Sequence, residues 1–156
     1  MTRAPFRGVT QSDYRLLHPE KERGKFILAL RTDKSEAELY LYDGQKKLAE
    51  LKWQAHLKLA ETLNSKIEEI SAAGGLSISL SDVQAIAVFK GPGSFTGLRI
   101  GMSVANALAY AQNIPIVARS GEDWLNQSIN DLQAGQNDKI AIPEYGSPPH
   151  ITQPKK

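Results

Sequence analysis

The stretch VQAIAVFKGPGSFTGLRIGMSVANALAYAQ, residues 83–112, contains the pattern that decides the fold class. Its first part is mostly apolar, which is typical of a buried strand, and the residues from about Thr96 to Gln112 predict a helix. In the turn between them, Gly91 and Gly93 permit backbone angles that other residues avoid, while Pro92 fixes one dihedral. We therefore expect a strand and a helix that meet at a sharp and stiff angle.

The segments on either side predict the rest of one α/β domain. Residues 25–32 form a short apolar run, and the near-alternating segment 35–53 turns at Asp43-Gly44, a dipeptide favoured in tight hairpins. Apolar residues at helical spacing predict an amphipathic helix from Gln54 to Ala73. A fifth strand and a short last helix are expected at 114–118 and 121–132. The order βββαβαβα predicts a mixed five-stranded sheet with helices packed on it.

Length and composition fit one globular domain with two extensions. The chain has 156 residues, of which 41% are hydrophobic and 23% charged, and this is close to average globular usage. We expect a leader at 1–25, which is either a flexible arm or an RNA-touching one, a lobe at 26–132 and an extended tail at 133–156. The net charge of +2 is too small to imply a nucleic-acid surface by itself.

The absence of cysteine limits the chemistry and the compartment. Zero cysteines exclude disulfides, thiol nucleophiles and thiolate metal sites, and fit a reducing cytosol. The first 25 residues hold no apolar run of signal-peptide length, and no run of 18 apolar residues occurs anywhere. We expect a cytoplasmic protein that does not span a membrane.

The glycine-rich turn matches no standard phosphate loop or nucleophile elbow. A Walker loop fails because Leu98 stands where lysine is required, and the dinucleotide fingerprint fails because Thr96 occupies its third glycine position. Ser94 does not fit the GxSxG elbow and is better read as a helix cap. An anion bound at the helix start, with Arg99 one turn in, stays open as an alternative.

The histidines do not predict a metal site. His18 lies in the leader, His56 at the first turn of the expected helix and His150 in the tail, so we do not expect their side chains to converge. A two-histidine pattern would also need a histidine one turn after His56, where Ala60 stands. We predict no catalytic residue, no metal and no cofactor in the isolated chain.

Two stripes run along the helix that follows the turn. Gly97, Gly101 and Ala105 recur every four residues, which lets a neighbouring backbone come close, either in the chain's own sheet or in another protein. The second stripe is polar but carries a single charge, as in the centre of a protein interface, although an ordinary exposed face is the alternative. Its members are Arg99, Ser103, Asn106 and Tyr110.

Several segments together resemble the TsaB (YeaZ) family of bacterial tRNA threonylcarbamoyladenosine proteins. They are ILALRT, AHLKLAETL, AIAVFKGPGSFTGLRIGMSVANALAYAQNIPIV and SGEDWL, and GPGSFTGLRIG is a long and specific match. The resemblance covers residues 26 to about 125, and the ending PEYGSPPHITQPKK is similar to that family's C-terminal finish. It implies the first lobe of an actin-like ATPase (ASKHA, ribonuclease H-like) fold.

The resemblance implies a noncatalytic dimerisation subunit. It would pair with a TsaD-type catalytic subunit, work with a TsaE-type ATPase and meet tRNA only indirectly, and the same helices could form a homodimer. A bulky residue at Gly101 or Ala107 would then abolish pairing without unfolding the chain. The residues implied at the partner interface are His56, Leu59, Ala60, Leu63, Gly97, Arg99, Ile100, Gly101, Ser103, Val104, Asn106, Ala107 and Tyr110. The structural turn comprises Gly91, Pro92, Gly93, Ser94, Phe95 and Thr96.

The chain departs from the family pattern in two places. The family commonly has Asp-Thr-Ser after its first strand, whereas this chain has Arg31, Thr32 and Asp33, so a carboxylate near a phosphate or metal is lost or displaced. We also expect only a short helix and a connector in place of most of the second lobe. ATP would then bind only at a site shared with partners. The competing hypothesis is an actin-like phosphotransferase or peptidase-like fragment with its own activity.

Overall fold

A computed structural model describes residues 26–73 and 78–145. The expected leader, 1–25, and the end of the expected tail, 146–156, lie outside the described residues. The elements follow the order βββαβαβα, which confirms the α/β fold class. They are β1 Phe26–Arg31, β2 Glu36–Asp43, β3 Lys46–Gln54, α1 Leu59–Ala73, a 3₁₀ turn Leu80–Asp82, β4 Val83–Phe89, α2 Phe95–Gln112, β5 Ile116–Arg119 and α3 Trp124–Gln133.

The five strands form one mixed sheet in the order β3-β2-β1-β4-β5. β1 pairs antiparallel with β2, and β2 pairs antiparallel with β3 across the tight turn at Asp43-Gly44. β4 lies parallel to both β1 and β5. The chain reaches β4 through α1 and β5 through α2, as the crossover to a parallel strand requires. This arrangement confirms the expected mixed sheet, with β1 at its centre and β3 and β5 at its edges.

The central strand is apolar on both faces because helices cover both. Phe26, Leu28 and Leu30 point to the face that carries α1 and most of α2, while Ile27 and Ala29 point to the face that carries α3. All five side chains are buried. A strand covered on both faces reads as a continuous apolar run, which is how this segment was recognised in the sequence.

The helix α3 closes the second face of the sheet with aromatic contacts. The ring of Trp124 meets the rings of Phe89 and Tyr40 edge-on, with centroid separations of 5.7 Å and 6.3 Å. Among the described helices, none has the length and apolar content needed to cross a bilayer.

The first helix begins later than the sequence predicted. Its expected start, Gln54, is still paired with Glu36 in β3, so the strand continues through that residue and α1 begins only at Leu59. The backbone amide of His56 donates to the Ser35 carbonyl at 3.2 Å. The placement of His56 on the helix is therefore wrong, because strand pairing extends further along the chain than the helical period indicated.

The fifth strand begins two residues later and ends one residue later than expected. It was expected at 114–118 but spans Ile116–Arg119. Pro115 has no amide hydrogen to donate, and its carbonyl accepts from the Ile86 amide at 3.0 Å just before the strand begins.

Candidate partner-binding surface

A groove lies along the seam between α1 and α2, on the side away from α3. Two adjoining cavities of about 590 Å³ and 440 Å³ form it, and both are lined by Ala60, Thr96 and Ile100. We call the two together the α1/α2 groove. Its residues are 32–35 after β1, 55–57 before α1, Leu59 and Ala60 on α1, Ser94 in the turn, and Phe95, Thr96, Gly97, Arg99, Ile100, Ser103 and Val104 on α2.

The groove brings together most of the residues that the sequence placed at a partner interface. They come from two helices and one loop that are distant along the chain: His56, Leu59, Ala60, Gly97, Arg99, Ile100, Ser103 and Val104. Ala107 and Tyr110 lie further along α2 and are exposed, and Tyr110 is 90% exposed. That these residues touch a partner stays a prediction.

The start of α2 is fixed by its cap and by the end of β1. Ser94 Oγ accepts a hydrogen bond from the Gly97 amide at 3.2 Å, which confirms Ser94 as the helix cap. The Ser94 amide donates to the Asp33 carbonyl at 3.0 Å. A cis peptide bond joins Gly91 to Pro92 in the same turn. The first turn of α2 therefore lies against the end of β1 and places Phe95 and Thr96 on the exposed rim of the groove.

The small-residue stripe of α2 packs on the chain's own sheet. Thr32 Oγ1 donates to the Gly97 carbonyl at 2.8 Å. A Cβ atom at Gly97 would overlap the Thr32 carbonyl oxygen, and one at Gly101 would overlap Thr32 Oγ1. Of the two explanations that the sequence left open for this stripe, the structure shows packing on its own sheet.

Two residues that were expected at the partner interface lie inside the fold. Leu63 is 0% exposed in the core between α1 and the sheet, and Gly101 is buried beneath Thr32. Leu63 has no exposed surface with which to touch another chain, and Gly101 faces Thr32 of the chain's own sheet, so any place of these two near a partner stays a prediction. Leu59 is 7% exposed and contributes only its edge to the groove.

Asn106 holds a segment that sequence reasoning did not connect with α2. Its side-chain amide donates to the Ala141 carbonyl at 3.0 Å, and its carbonyl oxygen accepts from the Ala141 amide at 2.7 Å. Ala141 is buried, whereas Ile140 and Ile142 on either side of it are 59% and 67% exposed. The Ile-Ala-Ile alternation was the signal that could have revealed this packing.

Replacing Asn106 with leucine should release this segment while α2 stays folded. The two lost hydrogen bonds contribute about 2 kcal/mol together, which corresponds to roughly 30-fold faster exchange of the Ala141 amide hydrogen. Hydrogen exchange read out by NMR measures this directly. Gln127→Leu, at an exposed position of α3, is the matched control and should leave the Ala141 amide unchanged; equal rates in the two variants would contradict the assignment.

The acidic side chain in the groove is already paired within the chain. Arg31 Nε and Nη2 donate to the two carboxylate oxygens of Asp33 at 2.7 Å and 3.2 Å, and the Arg31 guanidinium lies 3.9 Å from the centre of the Phe89 ring. Burial alone would lower the pKa of Arg31, but the hydrogen bond and charge of Asp33 raise it above its ordinary value. The family pattern has a carboxylate at the position of Arg31. In this chain the carboxylate is instead at Asp33, where it forms a salt bridge with Arg31. In residues 26–73 and 78–145, no group of three or more potential ligand side chains could hold a metal ion.

Known proteins resemble this chain along most of its described length. A family model described as TsaD, tRNA N6-adenosine threonylcarbamoyltransferase, matches residues 53–130. The tRNA threonylcarbamoyladenosine biosynthesis protein TsaB of Haemophilus influenzae is 35% identical over 118 residues, which cover 74% of this chain and 48% of that protein. A tRNA N6-adenosine threonylcarbamoyltransferase of Geotalea uraniireducens is 47% identical over 62 residues, which cover 40% of this chain and 18% of that enzyme.

A solved structure shows the same fold. YeaZ from Pseudomonas aeruginosa superposes with a TM-score of 0.58 at 29% identity, over 70% of this chain and 50% of that one. The chain thus spans about half the length of the TsaB and YeaZ proteins that it matches. Since the family model covers half of the chain, and a TsaB protein at 35% identity matches 74% of it, the chain belongs to the TsaB/YeaZ family within the wider family that the TsaD model describes.

Proposed function

We propose that this chain is a noncatalytic scaffold subunit in the biosynthesis of N6-threonylcarbamoyladenosine in tRNA. It would pair with a TsaD-type catalytic subunit through the α1/α2 groove and hold that subunit in its active state. The pathway is supported by the names of the relatives, which are TsaB biosynthesis proteins and threonylcarbamoyltransferases. The observation that carries the pairing is the open groove between two helices, lined by small and apolar side chains at its centre.

The groove has the shape that helix-on-helix docking requires. Ala60 on α1 and Ser103 on α2 are small and exposed, and Ile100 and Val104 offer half-buried apolar surface between them. Small residues on a helix face let a second helix approach to about 8–10 Å between axes. A stable complex of standard size would cover about 800 Å² on each partner, so we expect Ala107 and Tyr110 to take part as well.

The partner that fits best is a chain with a similar helix pair. This chain matches both TsaB and TsaD proteins, so the two kinds of subunit share this part of the fold. Two similar helix pairs can pack face to face as a four-helix bundle, with each chain using the corresponding surface. The TsaE-type ATPase and the tRNA would then reach the complex chiefly through the catalytic subunit, and ATP would bind only where the subunits meet.

A charge placed in the groove should disrupt the complex. Ser103→Arg puts a long cation where a partner helix would lie, and at the centre of an interface such a change costs about 2 kcal/mol or more, which is roughly a 30-fold loss of affinity. Titration calorimetry with the purified TsaD-type subunit of the same organism measures the loss. Gln127→Arg on α3 is the matched control, because it introduces the same charge at an exposed position on the opposite face of the sheet.

Three results would contradict the proposal. One is wild-type affinity in Ser103→Arg, when its melting temperature is unchanged. Another is the failure of the wild-type chain to bind the TsaD-type subunit at micromolar concentrations. The third is binding of ATP and magnesium by the isolated chain in calorimetry, which would favour the phosphotransferase hypothesis. Light scattering with and without the partner separates pairing from a homodimer that uses the same face.

A further inference from the structure

The last described residues lead the chain to the mouth of the groove. The segment after α3 first follows the edge strand, where the Asp138 amide donates to the Ile116 carbonyl at 2.8 Å. It is then held to α2 at Ala141, and the Glu144 amide donates to the Lys90 carbonyl at 2.6 Å at the end of β4. These contacts place the described chain as far as Glu144.

Tyr145, the last described residue, contacts Phe95, which lines the groove. Its ring lies 4.3 Å from the ring of Phe95, centroid to centroid, with the planes inclined by 30°. Phe95 lines the groove and is 40% exposed, and the guanidinium of Arg99 lies 5.3 Å from the Phe95 ring centre. The last described residue, Tyr145, therefore lies beside the rim that Phe95 forms.

We propose that residues 146–156, GSPPHITQPKK, bind in the α1/α2 groove of their own chain and are displaced when a partner docks. The part of the groove between Phe95 and Val104 extends for about 14 Å at 1.5 Å per helical residue. An extended chain advances about 3.3 Å per residue, so Ile151, six residues after Tyr145, can reach the far end. The segment is thus long enough to cross this part of the groove.

The composition of the segment also matches the groove. Pro148, Pro149 and Ile151 are apolar and suit the walls formed by Ile100 and Val104. Prolines restrict the free chain, so the segment loses less conformational entropy on binding, and proline-rich segments characteristically dock in grooves that contain aromatic side chains.

Charge favours the placement of the end of the segment along α1, although Lys34 and Arg99 also line the groove. The segment ends in two lysines at 155 and 156 and contains no acidic residue. The helix α1 carries exposed Glu61 and Glu68, which are seven residues and therefore about two turns apart on the same side of the helix. A basic end that lies along α1 would be attracted to these carboxylates.

The displacement by a partner rests on the proposed function, whereas occupancy of the groove does not. If the segment covers the groove in most molecules, the apparent affinity for a partner equals the intrinsic affinity multiplied by the fraction of molecules whose groove is open. Ile151→Asp should weaken the segment's own binding and so tighten partner binding by several-fold. It should also speed amide hydrogen exchange along residues 99–104.

The natural absence of cysteine allows a direct test on the full chain. We would introduce Ser103→Cys with Ile151→Cys, and as a control Gln127→Cys with Ile151→Cys. Residues 103 and 127 are both exposed, so the two pairs are matched in accessibility at these positions. Each pair is oxidised mildly, and the rate of intramolecular disulfide formation is divided by the rate of the same pair in urea. We expect the ratio for the 103–151 pair to exceed that of the control at least tenfold.

The outcomes separate this inference from the proposed function. Equal ratios, or disulfides that form only between chains, would overturn occupancy of the groove by the chain's own segment. A fast 103–151 disulfide in a chain that fails to bind the TsaD-type subunit would support occupancy while contradicting the pairing. Unchanged partner affinity in Ile151→Asp, with pairing intact, would overturn the displacement.

Discussion

Replacing Gly101 with valine should destabilise the whole domain by about 2–4 kcal/mol, the sum expected from overpacking and the loss of one hydrogen bond. A Cβ atom at this position would overlap Thr32 Oγ1, which is held in place by its hydrogen bond to the Gly97 carbonyl. The larger side chain would push α2 away from β1. Urea denaturation measures the change in the free energy of unfolding, and Ala107→Val, at an exposed position on the same helix, should shift it far less.

A double-mutant cycle identifies the clash as the cause. Thr32→Ala removes the oxygen that the new side chain meets first, so Gly101→Val should cost less in the Thr32→Ala background than in the wild type. Equal costs in the two backgrounds would contradict this explanation. We therefore expect a bulky residue at Gly101 to lower the stability of the chain, whereas the sequence alone predicted a loss of pairing without unfolding.

Leu63→Ala should destabilise the domain by about 2–5 kcal/mol in the free energy of unfolding. The Leu63 side chain is 0% exposed and lies in the main core with Leu39, Leu41 and Ile67. Truncation leaves a cavity that this packed layer cannot close completely. Thermal unfolding followed by circular dichroism measures the loss.

The exposed neighbour of Leu63 supplies the control for this prediction. Asn64→Ala should change the free energy of unfolding by less than about 0.5 kcal/mol, since Asn64 is exposed. If Leu63 belonged to a partner interface, the two substitutions would affect the isolated chain alike and differ only in partner affinity. That pattern would contradict the core assignment.

The sequence predicted the fold because its signals are local. The apolar run of β1, the Asp43-Gly44 turn and the strand-turn-helix unit at 83–112 each determine their own element. The start of α1 was missed because Gln54, its expected first residue, pairs with Glu36 of β2, and this pairing overrides the helical period.

The candidate site could be predicted only in part, because a periodic pattern does not show what covers a face. Leu63 and Gly101 have the spacing of a docking face, yet the chain's own sheet covers them. Asn106 belongs to a stripe whose polar composition suggested an exposed face, yet its side chain binds the backbone of Ala141, 35 residues away. The contact of Tyr145 with Phe95 is also distant along the chain, and no local signal announced it.

Both edges of the sheet carry features that oppose the addition of a further strand. On one edge, β3 exposes Lys46, Lys47 and Lys52, and charged side chains on an edge strand deter the addition of a foreign strand. On the other edge, the Ile116 and Ala118 amides donate to side-chain oxygens of residues 137 and 138 at 3.1 Å and 2.9 Å, so these donors are already occupied. The addition of further strands is therefore disfavoured at both described edges of the sheet.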